Sequence, residues 1–375
     1  MLLDQAWRCA VTGAADGGGM TTTPVDVLVI GLGPAGASAA RAAARAGLDV
    51  IAIDRKQRAG EPVQCAEFVP QLLSPTIDAV TATARQRIAA MQTFVERDAP
   101  DWQGDFPGVM VDRAAFDAHL VSQARAAGVG CHFDCAVAAI DPAGVVHCDD
   151  GRAFSARVII GADGPRSRVG RAIGEINREL VAARQITVPL RGAHDATDIF
   201  LSADYPGGYA WLFPRGAVAN LGLGVAYASR ACLKPALERL RLTLVAAQRI
   251  GETILGATGG AIPVGGMLRP SGILGERVAL LCGDAAGLTN PVTGAGISAA
   301  VLSGMAAGEA AAAVCAGDDG APAEYAEDLE DLFGVAIARA LQRRRAVLGQ
   351  YAGGNTPSAE RLRGGWIAYP EYWAA

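Results

Sequence analysis

The stretch that decides the fold is Val25–Asp54, VDVLVIGLGPAGASAARAAARAGLDVIAID. Val25–Ile30 is a run of branched apolar residues with a single acid, which suits a parallel strand buried on both faces. Ala35–Ala46 reads as an alanine-rich helix and Leu48–Asp54 as a second buried strand, so the stretch is one βαβ unit of about thirty residues. Between the first strand and the helix, Gly31, Gly33 and Gly36 form G-x-G-x-x-G, with Leu32, Pro34 and Ala35 between them. The first glycine permits a tight turn, the second lets backbone approach a pyrophosphate, and the third lets helix and strand pack closely. The unpaired N–H groups and dipole at the helix start favour an anion. Asp54, followed by Arg55, ends the second strand, where an acid binds ribose hydroxyls. The unit predicts a dinucleotide site but does not by itself distinguish FAD from NAD.

Composition bounds the rest. The chain has 375 residues, 51% hydrophobic and 19% charged, with a net charge of −5. That is too apolar and too weakly charged for a disordered chain, and it gives no electrostatic reason to expect nucleic acid as a partner. The 47 glycines follow no three-residue period, which excludes collagen. Eight cysteines scattered through a long chain without a secretory h-region predict reduced thiols and a cytoplasmic address. Residues 1–22 are expected to be disordered, with Met20 a possible start. Gly296–Gly317 has the length of a membrane span but contains Glu309, and is read as a buried helix.

Further along, residues 55–76 hold three prolines and read as a long functional loop. Strands are expected at Arg87–Glu96 and Gly108–Val111, a helix at Ala114–Ala127, and a β-meander between Gly130 and Gly161. Longer alternating segments follow at Ala183–Leu190, Tyr209–Phe213 and Ala217–Val225, with a helix near Leu233–Arg249. Dinucleotide character returns at Val278–Cys282 and in a long helix after Thr293.

Three further segments choose the nucleotide. GADGPRSR (161–168) follows a buried strand, GDAAGLTNPVTGAGI (283–297) follows another, and DRAAFD (112–117) opens a helix. Their order resembles the glutathione-reductase-like flavoproteins that include aromatic hydroxylases and geranylgeranyl reductases. The resemblance implies bound FAD. It gives Asp284 the ribityl–pyrophosphate region and has the helix start of Gly294, Ala295, Gly296 and Ile297 face the isoalloxazine, with Gly283, Gly287 and Pro291 also among the cofactor-binding residues. Asp163 and Gly164 become the DG pair, Arg113 the pyrophosphate contact, and Val137 the backbone contact to adenine.

Two details are similar to the geranylgeranyl reductases in particular. EPVQCAEFVP (61–70) looks like their cysteine-bearing loop, which implies Cys65 near the flavin. YAWLFP (209–214) looks like their aromatic-x-Trp-x-Phe-Pro segment, with Tyr209, Trp211, Phe213 and Pro214 lining a substrate cavity. On a strand Tyr209, Trp211 and Phe213 share one face. The implied reaction is reduction of a carbon–carbon double bond of an apolar polyprenyl or quinone-like substrate, with Cys65, Tyr209 or water as the proton source and NAD(P)H or a protein donor as reductant. Where that loop often has glycine after the cysteine, this chain has Ala66-Glu67-Phe68, and Phe68 is expected to narrow the pocket. The same FAD motifs serve a monooxygenase that hydroxylates an aromatic substrate, which stands as the alternative. A flavin halogenase needs a lysine between flavin and substrate, and the only lysines are Lys56 and Lys234. An assembly or binding factor with structural FAD is the non-enzymatic reading.

The resulting expectation is an α/β protein: a Rossmann-like FAD-binding domain with a β-meander (23–83, 105–176 and 266–320), an antiparallel-sheet substrate domain (84–104 and 177–265) and a helical C-terminal cap (321–375). No metal is expected. Cys131, His132, Cys135, His147 and Cys148 could be drawn as a zinc site, but their spacing is loose. No transmembrane span is expected, a peripheral membrane contact is allowed, and the oligomeric state is not legible.

Overall fold

The computed structural model describes residues 22–70 and 77–374. The segment expected to be disordered lies outside these residues except for Thr22, and so do 71–76 of the long loop. Thr22–Ile30 sits between Val50–Ile53 and Ala153–Gly161, parallel to both, in an eight-stranded sheet. Arg277–Leu281 extends the sheet in parallel beyond Ala153–Gly161, and Gly130–His132 extends it beyond Val50–Ile53. Val137–Ile140 and Val146–Cys148 make the antiparallel meander that returns to Ala153–Gly161. The central strands are covered on both faces, which is why they read as unbroken apolar runs: Val27, Leu28, Val29, Val158, Ile159 and Ile160 are fully buried.

The helix Pro34–Arg45 starts where Pro34 presets the first helical φ, and alanines fill its buried face. Against it lies Ile297–Ala316, the helix flagged by composition as a membrane-span candidate. It is long and apolar enough to cross a bilayer, but 50% of its most apolar window is buried inside the protein. Gly304 and Gly308 explain how closely the two helices approach: a Cβ on Gly304 would fall 2.2 Å from the Ala35 carbonyl oxygen, and one on Gly308 2.4 Å from that of Ala39. Asp112 caps Arg113–Ala126 by accepting from the Ala115 N–H at 3.0 Å.

The second large sheet has seven strands, antiparallel except for the pair Ala90–Val95 and Ala196–Leu201. One face is closed by the helix Leu233–Ala246, whose Leu237, Leu240 and Leu244 pack on Leu212, Leu221 and Leu223. Each such leucine contributes about 1.5–3 kcal/mol by leaving water. The other face carries Met91, Ile199, Trp211 and Phe213 and meets Leu362 and Trp366 of the C-terminal region. The single strand expected at Arg87–Glu96 is two: Ala84–Ile88 joins a three-stranded sheet with Phe68–Pro70 and Gly108–Val111, while Ala90–Val95 joins the seven-stranded sheet. The apolar run continues across Ala89, so its pattern could not show the break.

Candidate active site

A cavity of about 1240 Å³ runs between the two large sheets. Its nucleotide end is built by the glycine loop. Gly31 takes φ +102°, and a Cβ there would lie 2.3 Å from the Ala162 carbonyl oxygen; at Gly36 it would lie 1.7 Å from that of Gly31. These two glycines close the turn onto the neighbouring strand and do not need a ligand to explain them. Gly33 differs: a Cβ there would meet no protein atom within 4 Å, and the residue lines the cavity. The helix that follows has no side-chain cap, so its first N–H groups remain available to an anion. The helix Ile297–Ala316 begins in the same way at Gly296, also without a side-chain cap and also on the cavity wall.

Asp54 lines the cavity and holds the glycine loop in place, accepting from the Leu32 N–H at 2.7 Å and the Lys56 N–H at 2.8 Å. Asp284 is enclosed, with Thr289 donating to its Oδ1 at 2.8 Å. Burial pushes its carboxyl above the usual range, against the opposing pull of Thr289 and Arg113. Asp163 accepts from Ser167 Oγ at 2.5 Å and from the Arg168 N–H at 2.6 Å, which pins the start of the next helix. Arg113 donates from Nε to Asp117 at 2.7 Å. Burial opposes its charge, but Asp117 and the Cys65 sulfur beside it outweigh that and hold the guanidinium above its ordinary range. Arg55, Val137, Gly164, Pro34, Ala35, Pro291, Gly294, Ala295 and Ile297 also line the cavity. Gly36, Gly283 and Gly287 do not. Gly283 packs against Ala35, where a Cβ would sit 3.0 Å from that side chain, and Gly287 packs against the Gly266 backbone. An uncapped helix start, an open Cβ direction at Gly33 and two carboxylates, Asp54 and Asp284, on the cavity wall fit an FAD.

The other end is apolar. Tyr209 and Trp211 have ring centroids 5.7 Å apart, Trp211 and Phe213 6.3 Å, and Phe68 closes on Phe213 at 5.6 Å. All four rings line the cavity. Pro214 does not: alternation along Ala210–Arg215 turns it to the opposite face, with Ala210 and Leu212, so its expected place in the substrate wall is corrected. Trp211 lies over Gly222, where a Cβ would be 2.1 Å from the indole. Tyr209 donates its hydroxyl proton to the Thr293 carbonyl at 2.5 Å, and burial pushes the phenol far up.

Cys65 meets this wall through residues the sequence did not single out. Gln185 donates to the Cys65 carbonyl at 3.0 Å and accepts from the Trp211 indole N–H at 3.1 Å. Glu67, buried and at φ +69°, gives its own N–H to the Cys65 sulfur at 3.2 Å. Its carboxylate takes the Arg113 N–H at 3.1 Å and the Asn220 Nδ2 at 2.8 Å, tying the cysteine loop to the start of the helix Arg113–Ala126 and to the seven-stranded sheet. A left-handed glutamate has no sequence signature, and its partners come from segments more than 40 residues away. Trp366 was missed as a wall residue for the same reason: it stands 4.7 Å from the Tyr209 ring but arrives from the chain's end.

The structure does bring Cys135 and Cys148 together with Asp150, their ligand atoms within 4.8 Å of one another, while Cys131 is not in that group. Arg152 already occupies Asp150, and burial pushes both thiols up, so the group is packing for the meander.

Known proteins resemble this chain in sequence and fold. The family model described as the geranylgeranyl reductase catalytic domain matches residues 180–259, and that of the lycopene cyclase protein matches 26–197. A digeranylgeranylglycerophospholipid reductase of Methanocella arvoryzae is 35% identical over 327 residues, 81% of this chain and 82% of the relative. The chain belongs to the geranylgeranyl reductase family of FAD-dependent oxidoreductases. A second such reductase, from Methanopyrus kandleri, is 33% identical over 345 residues, 84% of this chain and 85% of its own length. Among solved structures, a geranylgeranyl bacteriochlorophyll reductase-like protein of Thermoplasma acidophilum superposes with a TM-score of 0.78 at 25% identity, covering 94% of this chain and 98% of that one. A probable FAD-dependent monooxygenase of Pseudomonas aeruginosa, 18% identical with a TM-score of 0.67, covers 91% of this chain and 99% of its own, and shares the fold. Family membership rests on the reductases.

Proposed function

We propose that this family member saturates carbon–carbon double bonds of a polyprenyl lipid, with NAD(P)H or a protein donor reducing its flavin. The observation that carries the reading is the continuity of one cavity from the nucleotide loop to a wall of Phe68, Tyr209, Trp211 and Phe213. Bound FAD supplies the hydride. The chain's residues do the rest. The aromatic wall excludes water and presses an extended apolar chain against the flavin side. Tyr209 is a positioning residue: its proton is committed to Thr293, so it fixes the Pro291–Gly294 loop and does not protonate substrate. Cys65 supplies the proton to the carbon opposite the one that receives hydride: it lines the cavity, and its sulfur is held there by the Glu67 N–H. Solvent then restores the thiol. In this reading residues 84–104 and 177–265 serve as the substrate half, and 321–375 cap it. A lipid substrate further supports a cytoplasmic protein that meets the membrane peripherally.

The test is anaerobic reduction of the holoenzyme followed by mass spectrometry of polyprenyl lipids, quinones and aromatics. A gain of two hydrogens per double bond is expected of the polyprenyl lipids. In a parallel reaction of the reduced holoenzyme supplied with oxygen, its stoichiometric incorporation into product would refute the reductase reading and support the monooxygenase.

A further inference from the structure

The C-terminal region leaves an apolar face in water at a mouth of the cavity. Val335, the first residue of the helix Val335–Gly349, is 73% exposed, the most of any large hydrophobic side chain among the described residues. Leu332, in the turn Glu330–Gly334 before it, is 59% exposed. Trp373 is 58% exposed and also lines the cavity, so the cavity reaches solvent beside it. These side chains form one surface. Residues three and four apart on a helix are neighbours, which aligns Leu332, Val335 and Arg339, and the Arg339 guanidinium stands 5.3 Å from the Trp373 ring. Arg343 fastens the tail to the same helix by donating to the Tyr372 and Ala374 carbonyls. Behind the face, Phe333, Ala336, Ile337 and Tyr372 continue the lining of the cavity inward. The charges around it nearly cancel, with Asp331 next to Leu332 and Glu371 close to Trp373 set against Arg339 and Arg343.

We propose that the face of Leu332, Val335, Arg339 and Trp373 docks in the surface of a lipid bilayer, and that the substrate passes from the bilayer into the cavity beside Trp373 without crossing water. Leu332 and Val335 enter the acyl boundary, while the indole of Trp373 and the guanidinium of Arg339 stay at the level of the head groups. A second copy of the chain seated on this face would cover the mouth. A bilayer covers the same apolar side chains and leaves the mouth open to an apolar chain. With the local charges balanced, apolar insertion and not attraction to anionic lipid holds the protein there. The assignment rests on the polyprenyl-lipid reading and adds the place where that substrate enters.

The experiment floats the holoenzyme with phosphatidylcholine vesicles. The wild type is expected to bind them equally at low ionic strength and in about 1 M salt, where screening acts beyond about 3 Å. Val335→Asp is expected to lose roughly ten-fold or more in vesicle partitioning, the scale of keeping one apolar side chain in water, with its FAD content and Tm unchanged. Leu255→Asp is the control, since Leu255 is 55% exposed but does not line the cavity, and it should bind vesicles as the wild type does. Equal loss in Leu255→Asp, or no loss in Val335→Asp, overturns the proposal. Binding that requires anionic lipid and disappears in salt also overturns it. So does a wild-type dimer that fails to bind vesicles and becomes a monomer in Val335→Asp, since that assigns the face to a second copy. If Val335→Asp does not fold, Leu332→Asp decides by the same readings. Turnover is read separately on lipid dispersed in detergent. Vesicle binding at this face without reduction of any lipid would sink the reductase reading and leave this one standing; reduction in detergent by a protein that binds no vesicles does the reverse.

Discussion

Gly33 and Gly36 stand three residues apart in one motif, yet alanine at each should fail in a different way. At Gly33 the backbone sits at φ −76°, ψ −171°, a conformation alanine adopts freely, and the added Cβ meets no protein atom within 4 Å. The apoprotein of Gly33→Ala should therefore gain about 0.4–1 kcal/mol from the lower entropy of its unfolded chain. With an unfolding entropy of about 2.1 cal/mol/K per residue, 375 residues convert that to a rise in Tm of about one degree. The same Cβ projects into the space a pyrophosphate would fill. The anion must retreat from the helix start and give up a charge-assisted hydrogen bond of about 1.5–3 kcal/mol, so FAD affinity falls by roughly 10- to 150-fold. At Gly36 the Cβ would overlap the rigid Gly31 carbonyl oxygen at 1.7 Å. Backbone must move by more than an ångström, so Gly36→Ala should lower apoprotein stability by about 1–3 kcal/mol or more before any cofactor is added. Differential scanning fluorimetry of the apoproteins and fluorescence titration with FAD separate the two effects. Unchanged FAD affinity in Gly33→Ala would refute the placement of the diphosphate at this helix start.

Asp284→Asn should stabilise the apoprotein near neutral pH: burial raises the carboxyl in the folded state, so its contribution is present at low pH and lost as pH rises through the folded value. The gain over wild type should vanish on acidification below the ordinary aspartate range, and a pH-independent difference in Tm would contradict the sign. Cys65→Ala should retain FAD and lose roughly 100-fold or more in turnover, the scale of a positioned general acid; stopped-flow reoxidation by substrate at an unaltered rate would remove the thiol from the reaction. Tyr209→Phe leaves the Thr293 carbonyl without its donor at a cost of about 1–3 kcal/mol, seen as a lower holoenzyme Tm, and since burial pushes the Tyr209 phenol up, activity in both proteins should show no titration of it in the ordinary tyrosine range. Gly304→Val should destabilise through a Cβ 2.2 Å from the Ala35 carbonyl oxygen, and a wild-type melting curve would show that the two helices do not pack so closely.

The nucleotide end was legible because its signals are local. Turn glycines, a helix start and an acid at a strand end lie within thirty residues, and each can be read from the chain on either side of it. The Tyr209–Trp211–Phe213 face was legible for the same reason, since alternation is a property of the strand alone. Alternation also argues against Pro214 in that wall. The break between Ile88 and Ala90 was not legible, because an apolar run looks the same whether it feeds one sheet or two.

Five of the 47 glycines divide along this line. Gly31, Gly33 and Gly36 announce themselves through spacing, whereas Gly304 and Gly308 acquire meaning only when the helix Pro34–Arg45 lies against them. The amino-acid sequence by itself determined the βαβ unit, the order of the nucleotide segments and the aromatic face, because these depend on residues near one another in the chain. Tertiary structure decided that Glu67 ties the Cys65 loop to Asn220 and Arg113, that Tyr209 spends its proton on Thr293, and that Arg344 is buried with its guanidinium on the Gly207 and Pro291 carbonyls. Those are statements about burial and partners drawn from distant segments, and only the packed chain sets both.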